Sequence, residues 1–218
     1  MDYSPLWISL QAAAVSTVFT FIIGLFAAWS VASLKHGKGF FDAFFSVPLV
    51  LPPTVVGFFL LVIFGKNSAL GRFLSEIGIN VVFELSGAVI AATVVSLPIM
   101  YRTMRAAIEQ VDENLVYAAR TLGLGEFRIF RKIIIPEALP GLLAGVILSF
   151  ARAMGEFGAT IMIAGNIPGR TRTMSVAVYT AMQSGNRELA FRWVLIILAI
   201  SFLSIFLMNM AVSVGKKR

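Results

Sequence analysis

From Tyr3 to Leu34 the chain carries no charged side chain, and this constrains its fold more than any other feature. A membrane-spanning helix needs about 20 mostly apolar residues, and this stretch exceeds that. In hydrocarbon the backbone polar groups must be satisfied within the protein, and a helix does so along its own length. Comparable apolar runs recur near Phe45–Phe64, from about Leu85 to Tyr101, from Pro136 to about Ala164, and from Trp193 to about Val214. The expectation is an all-α polytopic membrane protein with about five transmembrane helices. Composition agrees: 58% of residues are hydrophobic and 13% charged, against about 25% charged in a soluble domain. Met1-Asp2-Tyr3 offers no basic region ahead of the first run, so that run reads as a retained helix rather than a cleavable signal.

The formal net charge is +7. On a soluble protein that would point to nucleic acid; here it fits basic residues held in cytoplasmic loops, and no nucleic-acid partner is expected. With the N-terminus outside, the cytoplasmic set is Lys35, Lys38, Arg102, Arg105, Arg120, Arg128, Arg131, Lys132, Lys216, Lys217 and Arg218. The opposite set, Lys66, Arg72, Arg170, Arg172, Arg187 and Arg192, is smaller. This predicts an outside N-terminus and a cytoplasmic C-terminus. There is no Cys and a single His, His36, which argues against a thiolate or histidine metal site; no metal and no cofactor on this chain are expected.

Pro48, Pro52 and Pro53 fall in the second run. Proline removes backbone hydrogen bonds that lipid cannot replace. These prolines therefore mark either a helix facing a wet pathway or a kinked packing helix. The fourth run contains Arg152 and Glu156. Each charge costs about 2.5–3.5 kcal/mol to insert, so both should face protein or water. Their spacing of four puts them on one helical face, able to pair. Gly155 and Gly158 permit close helix contact. The pair reads either as a gate or as a packing device.

Residues 104–136 form the one long polar stretch between spans. Asp112 is placed to cap a helix, with Glu113 in its first turn. Leu115, Ala118, Ala119 and Leu122 recur at helical spacing, and Gly123 fits the helix end. A second short helix is expected from Glu126 to about Ile135, with Phe127, Phe130, Ile133 and Ile134 on one side, before Pro136. The expectation is a cytoplasmic helix–Gly–helix hairpin between spans three and four.

The run Tyr117-Ala118-Ala119-Arg120-Thr121-Leu122-Gly123, continued by Ile133-Ile134-Ile135-Pro136, resembles the EAA loop of ABC-importer permeases. Tyr117 stands where that family often has Glu, and Ile135 where it often has Leu. The resemblance implies that Ala118, Ala119, Gly123, Ile133 and Pro136 belong to an ATPase-coupling loop. Phe150 through Thr160, then Gly165-Asn166-Ile167-Pro168-Gly169-Arg170-Thr171-Arg172-Thr173 and Tyr179-Thr180, is similar to the molybdate permeases, as is Pro48 through Gly57. Sulfate/thiosulfate permeases share much of this pattern, and tungstate is chemically close to molybdate.

The resemblance covers nearly the whole chain. It implies a type-1 ABC importer transmembrane domain over residues 6–214, working as a homodimer in the cytoplasmic (inner) membrane. Two ATP-binding-cassette ATPase subunits would dock inside and an oxyanion-binding protein outside. The cargo implied is molybdate, with tungstate or sulfate/thiosulfate as the alternative, and it would cross by alternating access. Candidate pathway or gate residues are Pro52, Pro53, Arg152, Gly155, Glu156 and Thr160. Arg170 and Arg172 on an outer loop either meet an acidic rim on the binding protein, attract the anion, or are simply solvated. No Gly-rich run ends in Gly-Lys-Ser/Thr, so the ATPase is expected on another polypeptide and the chain is not itself an enzyme. An ATPase-independent secondary transporter would more often show inverted repeats. An intramembrane enzyme would need a catalytic constellation. The sequence shows neither.

Overall fold

The computed structural model describes residues 2–34 and 36–215, with side chains through Met210. The orientation residues Lys35, Lys216, Lys217 and Arg218 lie outside the described residues. Helices are α1 (Ser4–Ala32), α2 (Lys38–Val50), α3 (Pro53–Phe64), α4 (Ala69–Glu76), α5 (Leu85–Glu109) and α6 (Glu113–Thr121). Then come α7 (Glu126–Ile129), a π-helical turn (Phe130–Ile134), α8 (Ile135–Met154), α9 (Gly158–Ile163), α10 (Met174–Gln183) and α11 (Arg187–Gly215). Among the described residues there is no strand. Four helical runs are long and apolar enough to cross a membrane, and α2 with α3, taken together as one bent pair, meets the same measure.

α1 starts where the Asp2 carboxylate accepts from the Ser4 backbone N–H at 2.9 Å and the Ser4 hydroxyl at 2.7 Å. It packs on α5 through small residues. Ala13, Ser16, Thr20, Gly24 and Ala28 of α1 and Gly87, Ala88, Ala91, Ala92 and Ser96 of α5 are buried. Small side chains let two backbones approach where lipid offers no hydrophobic drive to associate. The hydroxyls are satisfied locally: Thr20 donates to the Ser16 carbonyl and Ser96 to the Ala92 carbonyl, each at 2.6 Å. The two hydroxyl oxygens lie 3.3 Å apart across the seam. α5 is the hub, touching α1, α2, α3, α8 and α9. The outer faces of α1, α3 and α11 leave Phe19, Phe26, Phe58, Phe59, Leu198 and Phe202 exposed.

Several expected spans differ from the observed helices. The second is not one helix: α2 and α3 meet at 105°. A residue before proline avoids the helical region. Leu51 precedes Pro52 and Pro52 precedes Pro53, and both are extended, with ψ of 140° and 134°. The third runs past Tyr101 to Glu109, so Pro98 is interior. Arg102, Arg105 and Glu109 end the hydropathic signal but not the helix, which keeps burying Met104 and Ile108. The fourth breaks at Gly155–Phe157, so Arg152 lies in α8 while Glu156 lies in the break. The fifth starts at Arg187, ahead of Trp193, because its first turns carry charge and are capped by Asn186, which accepts from the Leu189 N–H at 3.0 Å. The helices α4 and α10 had no counterpart among the predicted elements.

Candidate functional site

Two places gather the candidate residues. The first is the hairpin. The Asp112 carboxylate accepts from the Asn114 N–H at 2.9 Å, and Glu113 and Arg120 sit in the first and last turns of α6, complementing its dipole. Gly123 ends the helix at φ 78°. Its N–H donates to the Arg120 carbonyl and that of Leu124 to the Ala119 carbonyl, at 2.9 and 3.1 Å. This double closure requires the left-handed conformation that glycine adopts without strain.

Arg120 then grips Glu126 with two hydrogen bonds of 2.7 and 3.1 Å. That hydrogen bond holds the Glu126 carboxyl below its ordinary value and raises Arg120. The sign follows: a depressed carboxyl stabilises the folded hairpin at neutral pH, and the contribution fades as pH falls through the lowered value. Both groups are exposed, so the effect is local and screened by salt.

Of the alanine pair, Ala118 is exposed and Ala119 buried. Tyr117, Leu122 and Phe127 are exposed at 55%, 81% and 66%, an apolar crown outside the spans. The opposite side is anchored. Ile129 and Phe130 are buried, and the Phe130 ring stacks on Trp29 of α1 at 4.3 Å. The second hairpin helix does not stop before Pro136 as expected; helix runs on from Glu126 to Met154. Pro136 cannot donate to the turn before it, and the ladder widens there into the π-helical turn. Ile133 is half-buried and Pro136 exposed. A recess of about 390 Å³, lined by Trp29, Lys38, Glu109, Tyr117 and Arg120 among others, lies behind α6.

The second place is where the bent α2–α3 pair meets α9, the short helix that follows α8. A Cβ on Gly158 would lie 3.0 Å from the Pro53 Cβ, and one on Gly57 would lie 2.7 Å from both the Ala159 Cα and the Met162 Cβ. The α3 and α9 backbones thus touch through glycine. Glu156, 2% exposed, uses both carboxylate oxygens: Oε1 accepts from the Ala159 N–H at 2.8 Å, capping α9, and Oε2 pairs with Arg152 at 2.9 Å. The Arg152 side chain is 31% exposed. Thr160 is buried in α9, and Gly155 is exposed in the break. Pro53, Arg152, Glu156 and Thr160 therefore collect at one junction, with Pro52 and Gly155 at its two joints.

On the loop between α9 and α10, Arg170 pairs with Glu84 at 2.6 Å and Arg172 donates to Asn166 at 2.7 Å. Two groups escaped the sequence reading. One is Gly57. The other ties α2 to α5: Tyr101 donates to Asp42 at 2.5 Å, Arg105 pairs with Asp42 and, at 3.0 Å, with Glu109, and Lys38 approaches Glu109 at 3.8 Å. Asp42 is the lone acid in an aromatic segment, a signal that could have been read as a tether.

A multi-pass helical domain with a bent α2–α3 pair ahead of a central helix and a capped hairpin between spans has the fold of a type-1 ABC importer transmembrane domain. It superposes on a chain of the MetNI methionine ABC transporter with a TM-score of 0.76 at 20% identity, covering 97% of this chain and 94% of that one. It matches a bacterial ABC transporter that imports alginate with a TM-score of 0.72 at 15% identity, covering 95% of this chain and 78% of that one. The chain belongs to the family described as binding-protein-dependent transport system inner membrane component, matched over residues 20–217. It is thus a multi-pass inner-membrane permease component. It is 46% identical to a Bacillus subtilis protein named for a molybdenum transport system permease, YvgM, over 94% of this chain and 91% of the relative. It is 40% identical to the molybdenum transport system permease protein ModB of Escherichia coli, over 100% and 96%. The sulfate transport system permease protein CysT of Salmonella typhimurium is 36% identical over 93% of this chain and 73% of its own length.

Proposed function

We propose that this chain is the membrane subunit of an ATP-driven importer of molybdate. The observation that carries the cargo is the 46% and 40% identity to proteins named for molybdenum transport, over nearly the full length of both partners. Two copies enclose the pathway. A separate ATPase docks on each hairpin, through Ala118 and the exposed crown around Gly123, and an extracytoplasmic oxyanion-binding protein delivers the cargo. The N-terminus lies outside and the C-terminus in the cytoplasm. The hairpin geometry supports this reading: its apolar crown is open, while Phe130 stacked on Trp29 links it rigidly to α1. Alternating access then works through the Leu51–Pro52 joint and the Gly155–Phe157 break, which the Arg152–Glu156 pair bridges.

The test is uptake of radiolabelled molybdate by cells expressing this chain with its ATPase and binding protein. Competing tungstate should inhibit strongly and sulfate weakly. Sulfate uptake that molybdate does not compete would assign the sulfate/thiosulfate reading instead. Uptake that persists without any ATPase subunit would assign a secondary transporter.

A further inference from the structure

The short helix α4 follows α3 on the side of the membrane where α5 begins, so topology alone places it at the bilayer surface. Its attachment is stiff. The Ser68 hydroxyl oxygen caps the helix, accepting from the Gly71 N–H at 2.8 Å while donating to the Ile63 carbonyl at 2.5 Å. A Cβ on Gly71 would fall 2.1 Å from the Gly65 carbonyl oxygen, so the α4 backbone lies directly on the end of α3. Leu70, Phe73, Leu74 and Ile77 recur at helical spacing, and Arg72, Ser75 and Glu76 occupy the opposite face. Leu74 turns into the core with Phe64 and Leu60. Leu70, Phe73 and Ile77 do not; they are 43%, 58% and 55% exposed.

We infer that α4 is an interfacial anchor whose Leu70–Phe73–Ile77 stripe sits in the acyl–headgroup boundary of the bilayer. An apolar stripe opposed by a charged face, on a helix tied to a spanning one, lies in the interface plane. The stripe continues the exposed side chains Phe58, Phe59 and Ile63 on the outer face of α3, a helix apolar enough to lie in the membrane, and this continuity names lipid as the occupant. Arg72 and Glu76 meet headgroups and water, and Lys66 before the helix adds a cation at the same level. The anchor fixes the depth of α3, and with it the seam that Gly57 makes with α9.

The chain has no Cys, so single cysteines can be spin-labelled without background. Phe73→Cys and Ile77→Cys report the stripe; Arg72→Cys and Ser75→Cys report the other face. Each is reconstituted in phosphatidylethanolamine–phosphatidylglycerol nanodiscs and saturated against oxygen, which favours lipid, and a nickel chelate, which stays in water. Labels at 73 and 77 should favour oxygen and those at 72 and 75 nickel. Equal accessibility at the four sites, or nickel preference at 73, overturns the inference. Labels at 73 shielded from both reagents and dipolar-coupled to a second copy overturn it too, because the stripe would then be a protein interface. Gel filtration of each labelled protein against the unlabelled chain checks folding, and Leu70→Cys replaces any stripe variant that fails. The readout is independent of which anion is carried.

Discussion

At the scale of single residues, Glu156 is the most heavily committed side chain of the junction. One oxygen caps α9 and the other holds Arg152. Glu156→Gln keeps an acceptor for the Ala159 N–H but leaves the guanidinium without a counter-charge. Stranding one partner of a buried pair costs about 3–5 kcal/mol; Arg152 is 31% exposed, which puts the expected loss at the low end. Replacing both residues by Gln should cost less than Glu156→Gln alone, as read by thermal unfolding of the purified protein in detergent. A double variant whose loss equals the sum of the two singles would mean that the side chains do not interact. The pairing was legible from a spacing of four. The cap on α9 was not, because hydropathy gave no sign that the helix stops between the two residues. Gly57 was equally silent: a glycine in an apolar run reads the same whether it faces lipid or another backbone.

At the scale of elements, what could be read was what local chemistry decides. The hairpin's first helix, its Asp112 cap and its Gly123 stop follow from neighbours in sequence, and the structure places them where they were expected. The breaks were harder. Hydropathy counts apolar residues and carries no direction, so α2 and α3 look like one segment although they diverge by 105°. Only the Leu51-Pro52-Pro53 run held a local clue. α4 and α10 were missed because each is too short for a spanning window and gains its place from tertiary contacts.

Gly123 gives the sharpest element-scale prediction. Nothing lies within 4 Å of a Cβ built there, so the constraint is its φ of 78° rather than space. A β-branched residue in that region costs about 1–2 kcal/mol, whereas asparagine tolerates it. Gly123→Asn should keep binding-protein-stimulated ATP hydrolysis in the assembled transporter, and Gly123→Val should lose most of it while still inserting in the membrane. Equal activity in the two variants would separate the turn from coupling.

At the scale of the whole molecule, α3 and α9 form one body. Interpenetrating glycine contacts leave no slack, since opening the seam would expose backbone that only another backbone can cover. In the alternating-access cycle proposed above, movement would fall at the extended joint Leu51–Pro52 and at the Gly155–Phe157 break, with α3 and α9 travelling together. α2 is the natural counterpart. None of its side chains is buried, and it is tied to α5 by the Asp42–Tyr101–Arg105 cluster and by the Phe45 ring 4.8 Å from Tyr101. A disulfide inside the α3–α9 body tests the division. The Cβ positions at Pro53 and Gly158 are 3.0 Å apart, and a disulfide wants about 3.5–4.5 Å, so Pro53→Cys with Gly158→Cys should oxidise after a small outward adjustment. If the two helices move as one, the oxidised protein imports its anion at the rate of the reduced protein. Import that stops on oxidation and returns with a reductant would show that the seam itself opens in each cycle, and the joints at Pro52 and Gly155 would lose their role as the hinges.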